Sequence, residues 1–325
     1  MGGRGAGAAG PALADVAPVR ASDPAVALLA RAMLGGLGGL SWSGARAAGA
    51  ELGDVVRRLG IRRRVAGENL ALAFPERSAE ERESVLRAHY RELGRVAAEY
   101  GHLARLARAP LGEAIVSFRG QEHAESIRGR GAVIMSGHFS NFELLGAWLT
   151  RMNPVDFVVQ PLSNAGVEAL IARRRAAAGV GCIRTSEGMR RIYDALRAGR
   201  WVAFLADQDA RRRGLFVPFF GRPASTPAGP ARCALRLGVP IVMGFLARRE
   251  DGRFDLDVVP PLRVEDPAAP DALWRLTALH TSVLEERIRA RPDLWFWLHR
   301  RWKTRPERVQ EAVGAAPSRE GGVRR

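Results

Sequence analysis

His138 and Glu143, at the two ends of the string His138-Phe139-Ser140-Asn141-Phe142-Glu143, are the side chains whose types and order could do acid–base chemistry. A neutral imidazole near pH 7 can take a proton from a hydroxyl, and a carboxylate beside it would fix its tautomer and stabilise the imidazolium that forms. A hydroxyl activated in this way can attack a thioester carbonyl directly, with no acyl-enzyme. Positions five apart on one regular helix do not share a face. His138 must therefore precede the helix, with a turn bringing imidazole and carboxylate together. The positive end of that helix would keep the carboxylate ionised and the resting imidazole neutral. Two plainer roles compete. Ser140-x-x-Glu143 matches a capping box, so Glu143 could serve the helix alone, and His138 could be a turn histidine satisfied by backbone.

The elements around this string must place it. Ala132–Met135 (AVIM) reads as a buried strand ending at Ser136-Gly137-His138, and helical sequence begins near residue 141. Phe157–Val159, Trp201–Leu205 and Ile241–Phe245 read as further buried strands, and Phe254–Val259 alternates like a strand with one wet face. Helical stretches fall near 141–151, 165–178, 187–198, 228–237 and 271–290. Strands alternating with helices predict an α/β fold with a mixed, largely parallel sheet flanked by helices. In such sheets, sites form at the carboxyl ends of strands, which is where His138 stands.

Upstream, residues 66–108 are helical in pattern, with Ser78 and Glu81 as a capping box behind Pro75. The stretch Ala25–Trp42 is apolar but broken by Arg31 and several glycines, and Arg57, Arg58, Arg62, Arg63 and Arg64 follow it. That order suits a helix lying in, or dipping into, an anionic leaflet, or else a first core helix. The expected organisation is a disordered lead over 1–24 without the features of a secretory signal, and a membrane-associating helical segment over 25–60. A catalytic domain over 61–305 and a flexible basic tail over 306–325 complete it.

Composition narrows the class of function. Fifty Lys plus Arg against 34 Asp plus Glu give 325 residues a formal net charge of +16. This excess predicts an anionic partner, although Arg-rich coding composition would also produce it. A nucleic-acid module would need a groove-reading helix or base-stacking aromatics, and neither is legible. The six histidines show no H-E-x-x-H spacing and no G-x-S-x-G elbow occurs, so metalloprotease and serine-hydrolase readings fail. Cys182 and Cys233 have no metal-like spacing and read as small core residues in a reduced setting.

The string SGHFSNFE resembles the H-x4-D/E motif of glycerolipid-type acyltransferases, in particular the lipid A biosynthesis (lauroyl/myristoyl) acyltransferases. The likeness continues in order through NLALAFPERS from Asn69, Asp207-Gln208, FVPFFG from Phe216 with Pro223 and Thr226, and Trp295-x-Trp297-x-His299-Arg300-Arg301-Trp302-Lys303. It implies an enzyme that moves a fatty acyl group from acyl carrier protein or coenzyme A to a hydroxyl of a lipid A-type glycolipid. It implies no cofactor beyond that co-substrate, and a place on the cytoplasmic face of the inner membrane. An acidic carrier protein would suit the basic surface.

Residue by residue, the resemblance implies that His138 is the general base and Glu143 its charge partner. Arg175 would face the site and hold a developing oxyanion or an acceptor phosphate; Arg173 and Arg174 stand beside it. Asp207 would order Arg175 or a loop, or cap a turn. Phe216, Phe219 and Phe220 would line an acyl slot or pack in the core. Trp295, Trp297 and Trp302, beside Arg300, Arg301 and Lys303, would meet headgroups or lock the C-terminal segment onto the core. The chain departs from the family pattern in its less continuous N-terminal apolar stretch and in Arg211-Arg212-Arg213, which lengthens a basic loop. An acyltransferase acting on phosphatidylinositol mannoside or another lysolipid is the alternative, followed by a non-catalytic acyl-binding relative.

Overall fold

Ala132–Ser136 is buried at all five positions, as a strand must be when helices cover both faces of its sheet. Its side chains alternate between two cores. Val133 and Met135 join one apolar cluster, and Ala132 and Ile134 join the other on the opposite face. The computed structural model describes residues 24–306. The predicted lead and most of the predicted tail lie outside the described residues.

Five helices come first: α1 (Pro24–Gly39), α2 (Trp42–Arg58), α3 (Arg63–Ala73), α4 (Ala79–Glu99) and α5 (Leu103–Arg108). The α/β part follows with β1 (Ile115–Arg119), α6 (Gln121–Glu125), β2 (Ala132–Ser136), α7 (Phe142–Leu149), β3 (Val155–Val159), α8 (Ala165–Ala177), β4 (Gly181–Arg184) and α9 (Gly188–Arg197). It continues through β5 (Trp201–Leu205), β6 (Leu215–Phe219), β7 (Arg222–Thr226), α10 (Gly229–Leu237), β8 (Ile241–Arg248), β9 (Phe254–Val258) and α11 (Ala272–Ala290).

Seven strands form one sheet in the order β1-β9-β8-β2-β5-β3-β4. β8, β2, β5, β3 and β4 run parallel, whereas β9 pairs antiparallel with β8 and carries β1 beside it. The expected mixed, largely parallel sheet is therefore present. β9 alternates buried and half-buried residues, with Asp255 and Asp257 on the wetter face. The β2–β5 register matters most: Ser136 stands opposite Leu205. Two residues beyond each of them, His138 and Asp207 leave the sheet on the same edge.

The long helical run expected over 66–108 is three helices. The Ser78–Glu81 capping box starts α4, and α3 stops before Pro75. α2 and α4 cross at glycines: a Cβ on Gly94 would sit 1.8 Å from the Gly49 carbonyl oxygen, and one on Gly53 would sit 2.0 Å from that of Tyr90. Strands β1 and β4 and the separate β6–β7 hairpin had no clear sequence signal; each has five or fewer residues, and β6 contains Pro218. Cys233 is buried, but Cys182 is exposed on the edge strand β4, which corrects the expectation of two core cysteines.

α1 lies against α8 and buries Leu34, while Leu28 and Leu29 remain 68% and 70% exposed. No helix among the described residues is long and apolar enough to cross a membrane.

The distant sequence motifs pack on one another. Asn69, buried in α3, donates from Nδ2 to the carbonyls of Trp297 (2.8 Å) and His299 (2.6 Å). Phe74 packs edge-on against Trp297 and Phe220. Trp295 and Trp297 are fully buried, so this segment is a lock on the core. Phe219 and Phe220 meet edge-on within the same cluster, so they pack in the core. Asn69→Leu strips two buried carbonyls of their donor and is expected to cost roughly 2–4 kcal/mol, read as a lower midpoint of urea unfolding.

Candidate active site

The stretch from Gly137 to Asn141 is fixed from several sides before its chemistry begins. A Cβ on Gly137 would lie 2.7 Å from a Leu284 methyl and 3.0 Å from the Asp207 carboxylate, so the strand end has room only for glycine. The His138 carbonyl accepts from the Phe296 N–H (2.9 Å), and the Ser140 N–H donates to the Leu294 carbonyl (2.7 Å). Ser140 has φ +44°, a left-handed conformation that costs a non-glycine residue about 1–3 kcal/mol unless its surroundings enforce it.

A buried ionic cluster supplies that enforcement. The Ser140 hydroxyl donates to Glu92 (2.9 Å), and the Asn141 amide donates to Glu99 (2.7 Å). Arg248 binds both glutamates, at 2.6 Å to Glu92 and at 2.7 and 2.8 Å to Glu99, and all three residues are buried. Burial works against the Arg248 cation, but the charges of Glu92 and Glu99 and their hydrogen bonds hold it firmly protonated. Two carboxylates from α4 and one guanidinium from β8 thus brace the turn from below.

Asn141, not Ser140, caps α7: its side-chain oxygen accepts from the Leu144 N–H at 2.8 Å. The capping box suggested by Ser140-x-x-Glu143 does not form. Glu143 instead faces α4 and α8, where it accepts from the Tyr100 hydroxyl (2.7 Å) and is paired with Arg175 through Nε (2.9 Å) and Nη2 (2.5 Å). Burial opposes the Arg175 charge, yet the hydrogen bonds and charge of Glu143 raise its pKa further. Burial and the adjacent Glu143 push the Tyr100 phenol well above its ordinary range, so it stays a neutral donor.

The carboxylate bonded to His138 is Asp207. Its Oδ1 lies 2.7 Å from His138 Nδ1, and its Oδ2 accepts from the His138 backbone N–H (2.7 Å) and from Trp295 Nε1 (2.8 Å). This corrects the expected pairing of the imidazole with Glu143. Of the roles expected for Asp207, the structure has the ordering of a turn, at the His138 N–H, and not of Arg175. The reason is geometric: β2–β5 register brings Asp207 beside His138, whereas the turn at Ser140 aims Glu143 toward α8.

Burial disfavours the His138 imidazolium, but the charge and hydrogen bond of Asp207, with a contribution from the charge of Glu143, raise its pKa above the usual imidazole value. Burial likewise works against the Asp207 anion, and His138 and Trp295 outweigh it, drawing its pKa down to about 2. With Nδ1 engaged by Asp207, Nε2 is the ring atom left to take a proton. It lies 3.5 Å from the Gln208 amide nitrogen, and the His138 side chain is 26% exposed between Phe142 and Phe296. A base so held can receive a proton at Nε2 while Asp207 steadies the opposite edge of the ring.

Sequence reading singled out His138, Glu143, Arg175 and Asp207, and the structure gathers them into two neighbouring pairs. It did not anticipate Tyr100, the brace of Glu92, Glu99 and Arg248, or Trp295 as a ligand of Asp207. Only Trp295 carried a signal, as part of the W-x-W string. His299 also serves the site, its Nε2 accepting from the Asp209 N–H at 3.0 Å and tying down the loop after Asp207.

The family model for bacterial lipid A biosynthesis acyltransferases matches residues 19–304. The chain belongs to this family. It is therefore an acyltransferase of lipid biosynthesis. Similar proteins include the lipid A biosynthesis palmitoleoyltransferase of Escherichia coli strain K12, 28% identical over 79% of this chain and 84% of the relative. The lauroyltransferase of the same organism is 29% identical over 80% and 86%. A phosphatidylinositol mannoside acyltransferase of Mycolicibacterium smegmatis is 28% identical over 54% and 57%.

For the acyltransferase, the electrostatics predict that histidine NMR places the His138 midpoint above about 6.5. In Asp207→Asn burial is left largely unopposed, and the midpoint should fall below that value.

Proposed function

We propose that this acyltransferase moves a fatty acyl group from an acyl carrier protein or coenzyme A thioester to a hydroxyl of a lipid A-type glycolipid, with His138 as general base. The single observation that carries the reading is the 2.7 Å contact between His138 Nδ1 and Asp207, which leaves Nε2 with only a 3.5 Å contact to the Gln208 amide at a partly exposed ring. In this mechanism the acceptor hydroxyl gives its proton to Nε2 as its oxygen bonds to the thioester carbonyl carbon. The tetrahedral intermediate collapses, the carbon–sulfur bond breaks, and the imidazolium returns the proton to the leaving thiolate. No acyl-enzyme forms.

Asp207 holds the ring and balances the imidazolium. Glu143 acts from one step away: it orients Arg175 and adds negative potential at His138. Arg175 is held near this chemistry by its pair with Glu143, and its role is to hold an acceptor phosphate or the oxyanion. A lipid A-type acceptor is favoured over a phosphatidylinositol mannoside because the lipid A relatives align over 79% and 80% of the chain, against 54% for the mannoside relative.

The membrane-facing reading of residues 25–60 is supported by the exposed apolar side chains of α1. α1 packs on α8, the helix that carries Arg175 in its last turn. Insertion of this face into the cytoplasmic leaflet of the inner membrane, with the arginines after α2 meeting anionic headgroups, would bring a lipid acceptor to the site. An acidic acyl carrier protein would be drawn to the same basic surface.

His138→Ala should lower turnover by about 100-fold or more, measured with acyl carrier protein thioester and a lipid A precursor, because general base catalysis contributes roughly 10²–10⁴. Near-normal rates would overturn the mechanism. Running the assay with a phosphatidylinositol mannoside acceptor tests the substrate class. Leu28→Asp with Leu29→Asp should weaken binding to anionic vesicles about tenfold or more, since each leucine buried in lipid is worth about 1.5–3 kcal/mol.

A further inference from the structure

Behind the His138–Asp207 pair, between the ends of β2 and β5 and the inner face of α11, lies a cavity of about 10 Å³. That is room for a single water molecule. Every residue lining it is buried. Three side-chain atoms of the lining have no hydrogen-bond partner in the protein: Ser136 Oγ, His280 Nε2 and Arg301 Nε. Eight other buried side-chain atoms among the described residues also lack a partner, but these three share one small space, which gives them a common explanation.

The other polar groups of the lining are Thr281, whose hydroxyl donates to the Thr277 carbonyl, and Asp207. A carboxylate has about four acceptor sites. The His138 ring, the His138 backbone and Trp295 occupy three, which leaves one. Arg301 donates from Nη1 to the Ser225 carbonyl and from Nη2 to the Thr226 hydroxyl, so Nε is the one guanidinium nitrogen without a partner. Among the described residues no carboxylate forms an ion pair with Arg301, and burial draws its pKa down to about 10.

We propose that this cavity holds one ordered water that joins Asp207 to Arg301, which makes Arg301, Ser136 and His280 positioning residues for the His138–Asp207 pair. The water accepts from Arg301 Nε–H and from the Ser136 hydroxyl, and it donates to Asp207 and to His280 Nε2. All four of its hydrogen-bonding sites are used, and so are all three orphans. His280 can accept only when neutral; burial, with the charge of Arg301, pushes its pKa down to about 3. An anion in this space would face Asp207 and a cation would face Arg301, whereas a neutral donor–acceptor suits both. By donating to Asp207, the water tempers the carboxylate's hold on the imidazolium and keeps the His138 midpoint lower than the pair alone would set it.

This inference deepens the proposed mechanism and rests on His138–Asp207 as its reactive pair, but its test needs no turnover. A high-resolution crystal structure of the full chain should show one water within hydrogen-bond distance of Ser136 Oγ, His280 Nε2 and Arg301 Nε. A dry cavity would overturn the proposal whatever the activity of His138→Ala. In Ser136→Ala and in His280→Leu, histidine NMR should show the His138 midpoint rising by about half a unit or more. A purely structural role would lower stability and leave that midpoint where it was, and an unmoved midpoint in both folded variants sinks the idea. Should either variant fail to fold, the wild-type crystal decides alone.

Discussion

A carboxylate buried at the end of β5 can remain charged only because three N–H groups reach it, and much of the architecture follows from that need. Two come from His138, its ring and its backbone, and the third from the indole of Trp295. Residues at positions 138, 207 and 295 must therefore meet within one hydrogen-bond length. In-register pairing of β2 with β5 brings the first two together, and the glycine at 137 lets them close. The strand-like bridge between Phe139 and Trp295 brings the third.

Around this centre, charged groups are held in discrete pairs with separate tasks. His138 with Asp207 is the pair whose second ring nitrogen has only the long Gln208 contact, and Glu143 with Arg175 is a second pair, whose carboxylate charge is felt at His138. Glu92, Glu99 and Arg248 form a third unit, wholly buried, that touches the turn through Ser140 and Asn141. Buried ion pairs add little net stability, because desolvation offsets their attraction. Their contribution here is positional: they hold a left-handed serine that would otherwise relax and carry His138 away from Asp207.

The sheet was largely legible in the sequence, because β2, β5 and β8 are apolar runs of the kind that only a doubly covered strand tolerates. The short β1 and β4, with half-buried residues, gave no such pattern. His138 and Asp207 were both visible as residues just past strand ends, but their partnership was not. Register between strands more than sixty residues apart in the chain is a tertiary property, and a local string such as H-x4-E draws the eye to the nearer carboxylate. The same holds for Tyr100 and Arg248, whose ties to Glu143 and Glu99 depend on how α4 lies across the domain. Trp295 and Trp297 were noticed for their type and misjudged in part, since a tryptophan beside arginines suits a lipid interface as well as a core. Burial decides between those, and burial is not written in neighbours along the chain.

Residues 294–301 complete a centre whose pair, His138 and Asp207, lies more than eighty positions earlier. While a ribosome is still making the chain, the sheet strands can all be present with Asp207 lacking its indole and the His138 turn lacking its clamp. Translation order thus imposes its own timing: the candidate site is assembled only when the last tryptophans have emerged and folded back, so an unfinished polypeptide lacks the full set of its bonds.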